Sequence, residues 1–221
     1  TGSIRDIIIH FHLFKNAGTS LDFNLRRIFA EQFLELELGG PIDLFEAGHL
    51  LPLLESSPEL SAISSHTLTL PLPSHDEWRF LPIIFLRHPI DRILSIYTYE
   101  RAQDSDTPGA LMAKKWEFPE YVEARLSMPE DVVLRNWQTC WLASDRLDKS
   151  HYSSDDEVLF QTASAVLNGL PFIGVVERFG DSLLLLNRVF YDRSIPAVFR
   201  MEKKNRSSIG TSRSEEHTSE L

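Results

Sequence analysis

The stretch Ile7-Ile8-Ile9-His10-Phe11-His12-Leu13-Phe14-Lys15-Asn16-Ala17-Gly18-Thr19-Ser20-Leu21 decides how this chain reads. It opens on an apolar, β-branched run, the pattern of a buried strand. It continues into Leu21, Leu25, Ile28, Phe29 and Phe33, one stripe of a helix. Between them lies a short turn with one lysine, one glycine and two hydroxyls. A strand, a tight turn and a helix N-terminus make an anion site, because free backbone N–H groups and the positive end of the helix dipole point at the same place. Gly18 lets a ligand approach the backbone closely. Lys15 adds a full positive charge, and Thr19 and Ser20 add hydroxyl donors. The guest this implies is a phosphate. The order is not that of a Walker A loop, G-x-x-x-x-G-K-[ST], because Lys15 precedes the glycine and sits close to the strand end.

A second segment has the same build. Phe80-Leu81-Pro82-Ile83-Ile84-Phe85-Leu86-Arg87 reads as another buried strand. His88-Pro89 breaks it, and the residues from Ile90 to about Gln103 continue as a helix, with Pro89 suited to its start and Asp91 to its first turn. Arg87 and Ser95 then stand eight positions apart, one at a strand end and one inside a helix. Arg87 offers a planar fork for phosphate oxygens, and Ser95 a hydroxyl.

These elements resemble those of sulfotransferases that use 3′-phosphoadenosine-5′-phosphosulfate (PAPS). K-N-A-G-T-S at residues 15–20 is similar to their 5′-phosphosulfate loop. R-H-P-I-D-R-I-L-S-I-Y at 87–97 is similar to the element that holds the 3′-phosphate with an arginine and a serine. N-W-Q-T-C-W-L-A at 136–143 and F-I-G-V-V-E-R-F-G-D-S-L at 172–183 resemble a helix and a strand–helix pair of the carbohydrate branch, which contains the heparan sulfate 6-O-sulfotransferases. The likeness spans residues 7 to 190. It departs at Asn16, where these enzymes often have Thr, although an asparagine also donates to phosphate. It departs again after about Phe199.

The resemblance implies a P-loop-like, three-layer α/β/α fold with a mostly parallel sheet. It implies a cosubstrate, PAPS, with 3′-phosphoadenosine-5′-phosphate (PAP) as product, held by Lys15, Asn16, Ala17, Gly18, Thr19, Ser20, Arg87 and Ser95. Lys15 is the catalytic candidate at the leaving phosphate. His66 is the candidate base, because family members place a histidine at this point to deprotonate an acceptor hydroxyl, and an imidazole suits that work. His49 and Glu177 are the runners-up. The acceptor implied is a glycan or glycan-bearing molecule. Two other readings are an ATP-dependent P-loop-like kinase and a non-catalytic nucleotide-binding module of the same fold.

Composition agrees with an ordinary globular protein: 221 residues, 43% hydrophobic and 24% charged. A net charge of −10 argues against general nucleic-acid binding. No run approaches the ~20 apolar residues of a membrane span. The lone Cys140 lies in a helical apolar pattern, which reads as a buried thiol and fits a cytoplasmic location. His10 and His12 share one strand face, a metal-compatible spacing. We read them as packed or hydrogen-bonded and expect no metal, since a ligand set needs more partners. The expected organisation is one domain over 1–212, cut short at its C-terminus, followed by a tail at 213–221 that resembles a translated sequencing adapter.

The remaining elements follow from pattern. A breaker at Leu36 to Pro41 precedes a short helix near His49–Ser56, and Ser61 to His66 form a short strand. Residues 67–79 and 103–109 read as loops. Residues 116–168 read as largely helical, with starts at Pro119 and at Ser127-Met128-Pro129-Glu130, and a capping box at Ser154-Asp155-Asp156-Glu157. Pro171 to Glu177 read as a fourth strand, and a buried helix from Asp181 follows. Strands alternating with helices predict parallel pairing, with ligands at the carboxyl ends of the strands.

Overall fold

The computed structural model describes residues 4–36, 47–129, 131, 133–143 and 156–201. The breaker at 37–41, the start of the capping box at Ser154-Asp155 and the tail at 213–221 lie outside the described residues.

Strand β1 (Arg5–Phe11) enters helix α1 (Gly18–Phe29) through a tight turn. Strand β2 (Phe33–Glu35), helix α2 (Leu50–Ser56) and strand β3 (Ala62–Ser65) follow. Strand β4 (Trp78–Leu86) leads into helices α3 (Pro89–Ala102), α4 (Pro108–Lys115), α5 (Phe118–Leu126), α6 (Trp137–Leu142) and α7 (Asp156–Gly169). Strand β5 (Ile173–Val175) and helix α8 (Phe179–Asp192) complete the described elements. The sheet order is β2-β3-β1-β4-β5, and every pair is parallel. The chain leaves β1 toward β2 and leaves β4 toward β5, so the crevice between the β1 and β4 ends is the topological switch point of the sheet.

Alternation along β1 sorts the two faces. Ile8 packs with Leu21 and Leu25 of α1 and with Leu183, Leu186 and Phe190 of α8. Ile7, Ile9 and Phe11 pack against the other layer, with Leu50 and Leu54 of α2, Trp141 of α6 and Ala163 of α7. A third cluster joins α3, α4 and α5 through Ile96, Ala113 and Tyr121 beyond the strand ends. The result is the expected three-layer α/β/α arrangement.

Several boundaries differ from expectation. The first helix ends at Phe29 rather than running to Phe33, because Ala30 turns to a positive φ of 48°. Phe33 instead starts β2, a fifth strand, whose Leu34 stands opposite Ile63. Backbone pairing with β3 outweighs the helical spacing there. Pro108 begins α4 inside the expected loop. The helix expected from Ser127 is a turn and irregular chain, because Asp131 is drawn in to pair with buried Arg125. The strand at 171–177 is shorter: Val176–Arg178 form a 3₁₀ turn.

Ile9 is fully buried in the central strand, flanked by Ile63 and Pro82. Ile9→Ala should therefore cost about 2–5 kcal/mol, the range for an aliphatic truncation in a packed core. A urea melt checks this as a lower midpoint at unchanged slope.

Candidate functional site

The turn between β1 and α1 holds two non-glycine residues in the left-handed region, Lys15 at φ 65° and Ala17 at φ 63°. Each costs on the order of 1 kcal/mol or more, so the surroundings must over-determine them. They do so through the turn's carbonyls. The Leu13 carbonyl accepts from Asn16 N–H, Phe14 from Arg92 Nε and Lys15 from Arg87 Nη1. With its carbonyls engaged this way, the turn leads into α1, whose N-cap Ala17 carries no side-chain cap. The first-turn N–H groups of a helix have no intrahelical partner and suit an anion.

Asn16 behaves differently from expectation. It is buried, and its Nδ2 donates to the Phe85 carbonyl and to Gln138 Oε1, both at 2.7 Å. Its amide ties the turn to β4 and α6, so its donors are not available to a phosphate. Gln138 completes the tie: Oε1 also accepts from Arg87 N–H at 2.9 Å, and Nε2 donates to the Arg87 carbonyl at 2.8 Å. The backbone at the β4 end is thus held by one side-chain amide.

The other sequence-predicted residues meet in one cleft. Lys15, Ala17, Gly18, Thr19 and Ser20 of the turn, Arg87 after β4, Ser95 of α3 and His66 after β3 all line a cavity of about 660 Å³. Arg87 Nε is buried there without a hydrogen-bond partner. Lys15 Nζ lies 4.2 Å from the centre of the Tyr99 ring, a cation–π contact. His66 is exposed, one residue past the strand. It enters the cleft because Ser65 Oγ accepts from the N–H groups of Thr67 and Leu68 and turns the chain there. Phe14, Tyr99 and Trp137 add aromatic surface, and Glu100 adds a carboxylate. That carboxylate is held by Tyr121 Oη at 2.6 Å and Arg125 Nη1 at 2.7 Å.

The runner-up bases are not lining residues of this cleft. Glu177 Oε1 accepts from His88 N–H and so holds the start of α3. His49 closes a 3₁₀ turn before α2. Cys140 is buried in α6, as its apolar pattern implied.

His10 and His12 are hydrogen-bonded, one of the two states the sequence reading gave them, but it missed their partner. Asp22 of α1 accepts hydrogen bonds from His10 Nδ1 and His12 Nδ1, both at 2.7 Å. Burial alone would raise the Asp22 carboxyl, but the hydrogen bonds and charge of the two imidazoles outweigh it and hold the carboxyl well below the ordinary carboxylate range. These three groups have donor atoms within 4.8 Å of one another. Their arrangement is that of a hydrogen-bonded cluster, with the carboxylate accepting from both rings. The available signal was Asp22 itself, a carboxylate between Leu21 and Leu25 on the apolar stripe of α1.

Fold and cleft together define a parallel α/β protein whose strand ends enclose a pocket lined by a lysine of the β1–α1 turn and an arginine at the β4 end. No protein-family model matches the chain. An uncharacterized protein from Archaeoglobus fulgidus is 36% identical over 187 residues, covering 82% of this chain and 72% of that protein. The chain belongs to the family of that archaeal protein. No helix among the described residues is long and apolar enough to cross a membrane.

Gln138→Ala should destabilise the fold by about 2–4 kcal/mol, because it leaves the Arg87 N–H without its acceptor and removes one acceptor from Asn16. Chemical denaturation measures the loss. A variant as stable as the parent would show that the amide does not hold the strand end.

Proposed function

We propose that this chain is a PAPS-dependent sulfotransferase that moves a sulfuryl group to a hydroxyl of a carbohydrate or glycan-bearing acceptor. One observation carries the reading. Two phosphate-type elements far apart in sequence, the Lys15–Ser20 turn and the Arg87/Ser95 pair, line the same cleft as a histidine. The motif resemblance supplies the nucleotide, and the net charge of −10 speaks against a nucleic-acid partner. A cytoplasmic site of action belongs to the same proposal, supported by a single, buried cysteine.

The chemistry asks for positioning and charge rather than a covalent intermediate on the protein. The acceptor oxygen attacks sulfur, and a new O–S bond forms. The bond from sulfur to the 5′-phosphate oxygen breaks, and that oxygen leaves with the electron pair as PAP. The acceptor proton passes to His66. Lys15 and the first-turn N–H groups of α1 stabilise charge growing on the leaving phosphate. Arg87 and Ser95 hold the 3′-phosphate and thereby fix the nucleotide along the β1–β4 crevice.

Arg87→Ala should weaken PAP binding by about 2–4 kcal/mol, the scale of a lost charge-assisted contact. Calorimetry giving unchanged affinity in a folded variant would remove Arg87 from the nucleotide site. ATP in place of PAP is the control for a kinase: ATP bound more tightly than PAP would favour phosphoryl transfer.

His66→Ala should lower turnover of PAPS with an acceptor by about 10²–10⁴-fold, the usual range for a lost general base, while PAP affinity stays near that of the parent. Near-normal turnover in this variant would take the base role away from His66.

A further inference from the structure

The His10–Asp22–His12 cluster reaches the cleft through one ring. His12 lines it, and its ring centre lies 3.8 Å from that of His66, with the planes 36° apart. The other side of the ring is walled by Gly18: a Cβ on that residue would lie 2.0 Å from His12 Cδ2. His12 is therefore wedged between the start of α1 and His66. This close approach, and not only access for a ligand, is what the glycine permits. The Nδ1–H···Oδ2 bond to Asp22 sets the ring's plane and tautomer, with the proton on Nδ1. The side chain of Asp22 is 7% exposed, so water screens its charge little. A buried carboxylate, the His12 imidazole and the exposed His66 imidazole thus stand in a row.

We propose that His12 is a positioning residue which, held by Asp22, lies against His66 and stabilises the imidazolium that forms when His66 takes the acceptor's proton. The proposal rests on the sulfotransferase reading for its catalytic use, although the ring contact is present without it. The carboxylate does not touch the base itself. It acts through the intervening ring: a cation on His66 meets the His12 ring, with a buried negative charge behind it.

The charged and titratable groups that share the cleft with His66 or stand behind its wall come from several elements. His10 and His12 belong to β1 and its end, and Asp22 to α1. Lys15 stands on the turn, Arg87 at the β4 end and Glu100 on α3. Lys15 and Arg87 disfavour a further cation in the cleft. Asp22 offsets them before the nucleotide arrives, and bound phosphates would neutralise them afterwards. The base is thereby kept able to hold a proton beside two fixed positive charges.

The test follows the imidazole signals of His66 by NMR across pH in the parent, in Asp22→Asn and in His12→Ala. His12→Ala removes the ring that lies against His66, so it serves if Asp22→Asn does not fold. The His66 titration should move down by about half a pH unit or more in each folded variant, the scale of losing a nearby opposite charge. The acid limb of the turnover profile should move the same way, with PAP affinity unchanged. A reduced rate with neither titration nor limb displaced would show a merely structural role and overturn the proposal. A displaced titration in a chain that turns over no PAPS would keep the coupling of His12 to His66, overturn its catalytic use, and count against the transferase reading itself.

Discussion

The side-chain amide of Gln138 holds two distant pieces of backbone in one frame. Its oxygen accepts from Arg87 N–H and from Asn16 Nδ2, and its nitrogen donates to the Arg87 carbonyl. Through Asn16 the same frame reaches the Phe85 carbonyl inside β4. The strained turn between β1 and α1 is anchored to a strand end rather than to solvent. The left-handed residues Lys15 and Ala17 persist because arginine donors bind the carbonyls of Phe14 and Lys15. Several hydrogen bonds at about 1 kcal/mol net each, two of them charge-assisted, outweigh two backbone strains of similar size. Arg87 joins the two elements as well: it steadies the turn through Nη1 while its Nε stays without a partner.

The cleft is locally cationic on a chain that is acidic overall. A fixed lysine and arginine beside an uncapped helix start create a positive potential where the sheet's crevice opens, and negative charge elsewhere on the chain discourages unspecific binding of polyanions. Tyr99 covers the Lys15 ammonium with its ring face, which keeps the charge aligned at little desolvation cost. On the opposite side, Arg125 is buried between Glu100 and Asp131, so the Glu100 carboxylate is fixed in the wall. The cleft therefore combines two fixed cations with aromatic surface and one anchored carboxylate.

The strands that matter for the site were legible because buried parallel strands are continuous apolar runs, and their ends are marked by a charged residue or a breaker: Lys15, His66 and Arg87. What lay between them was less so. β2 is three residues long and gains its identity from Ile63 across the sheet, which no local pattern contains. The segment after Ser127 has a proline suited to a helix start, but the ion pair of Asp131 with Arg125 pulls it out of helical form. Asn16 has the right donors for a phosphate, yet its direction is decided by Gln138, which is remote in sequence. The Asp22–His12 pair joins a helix to a strand end in the same way. Residue type and spacing marked the neighbourhood of the site, and long-range hydrogen bonds decided which side chains face it.

We propose that two separate clamps, the Lys15 turn and the Arg87/Ser95 pair, read the two phosphate ends of one nucleotide. Calorimetric titration of the full chain with PAP and with 5′-AMP, which differ only by the 3′-phosphate, tests it most directly. A site in which Arg87 and Ser95 hold the 3′-phosphate predicts PAP binding tighter than 5′-AMP by about 30–1,000-fold, the equivalent of one charge-assisted phosphate contact. Equal affinities for the two nucleotides would contradict it.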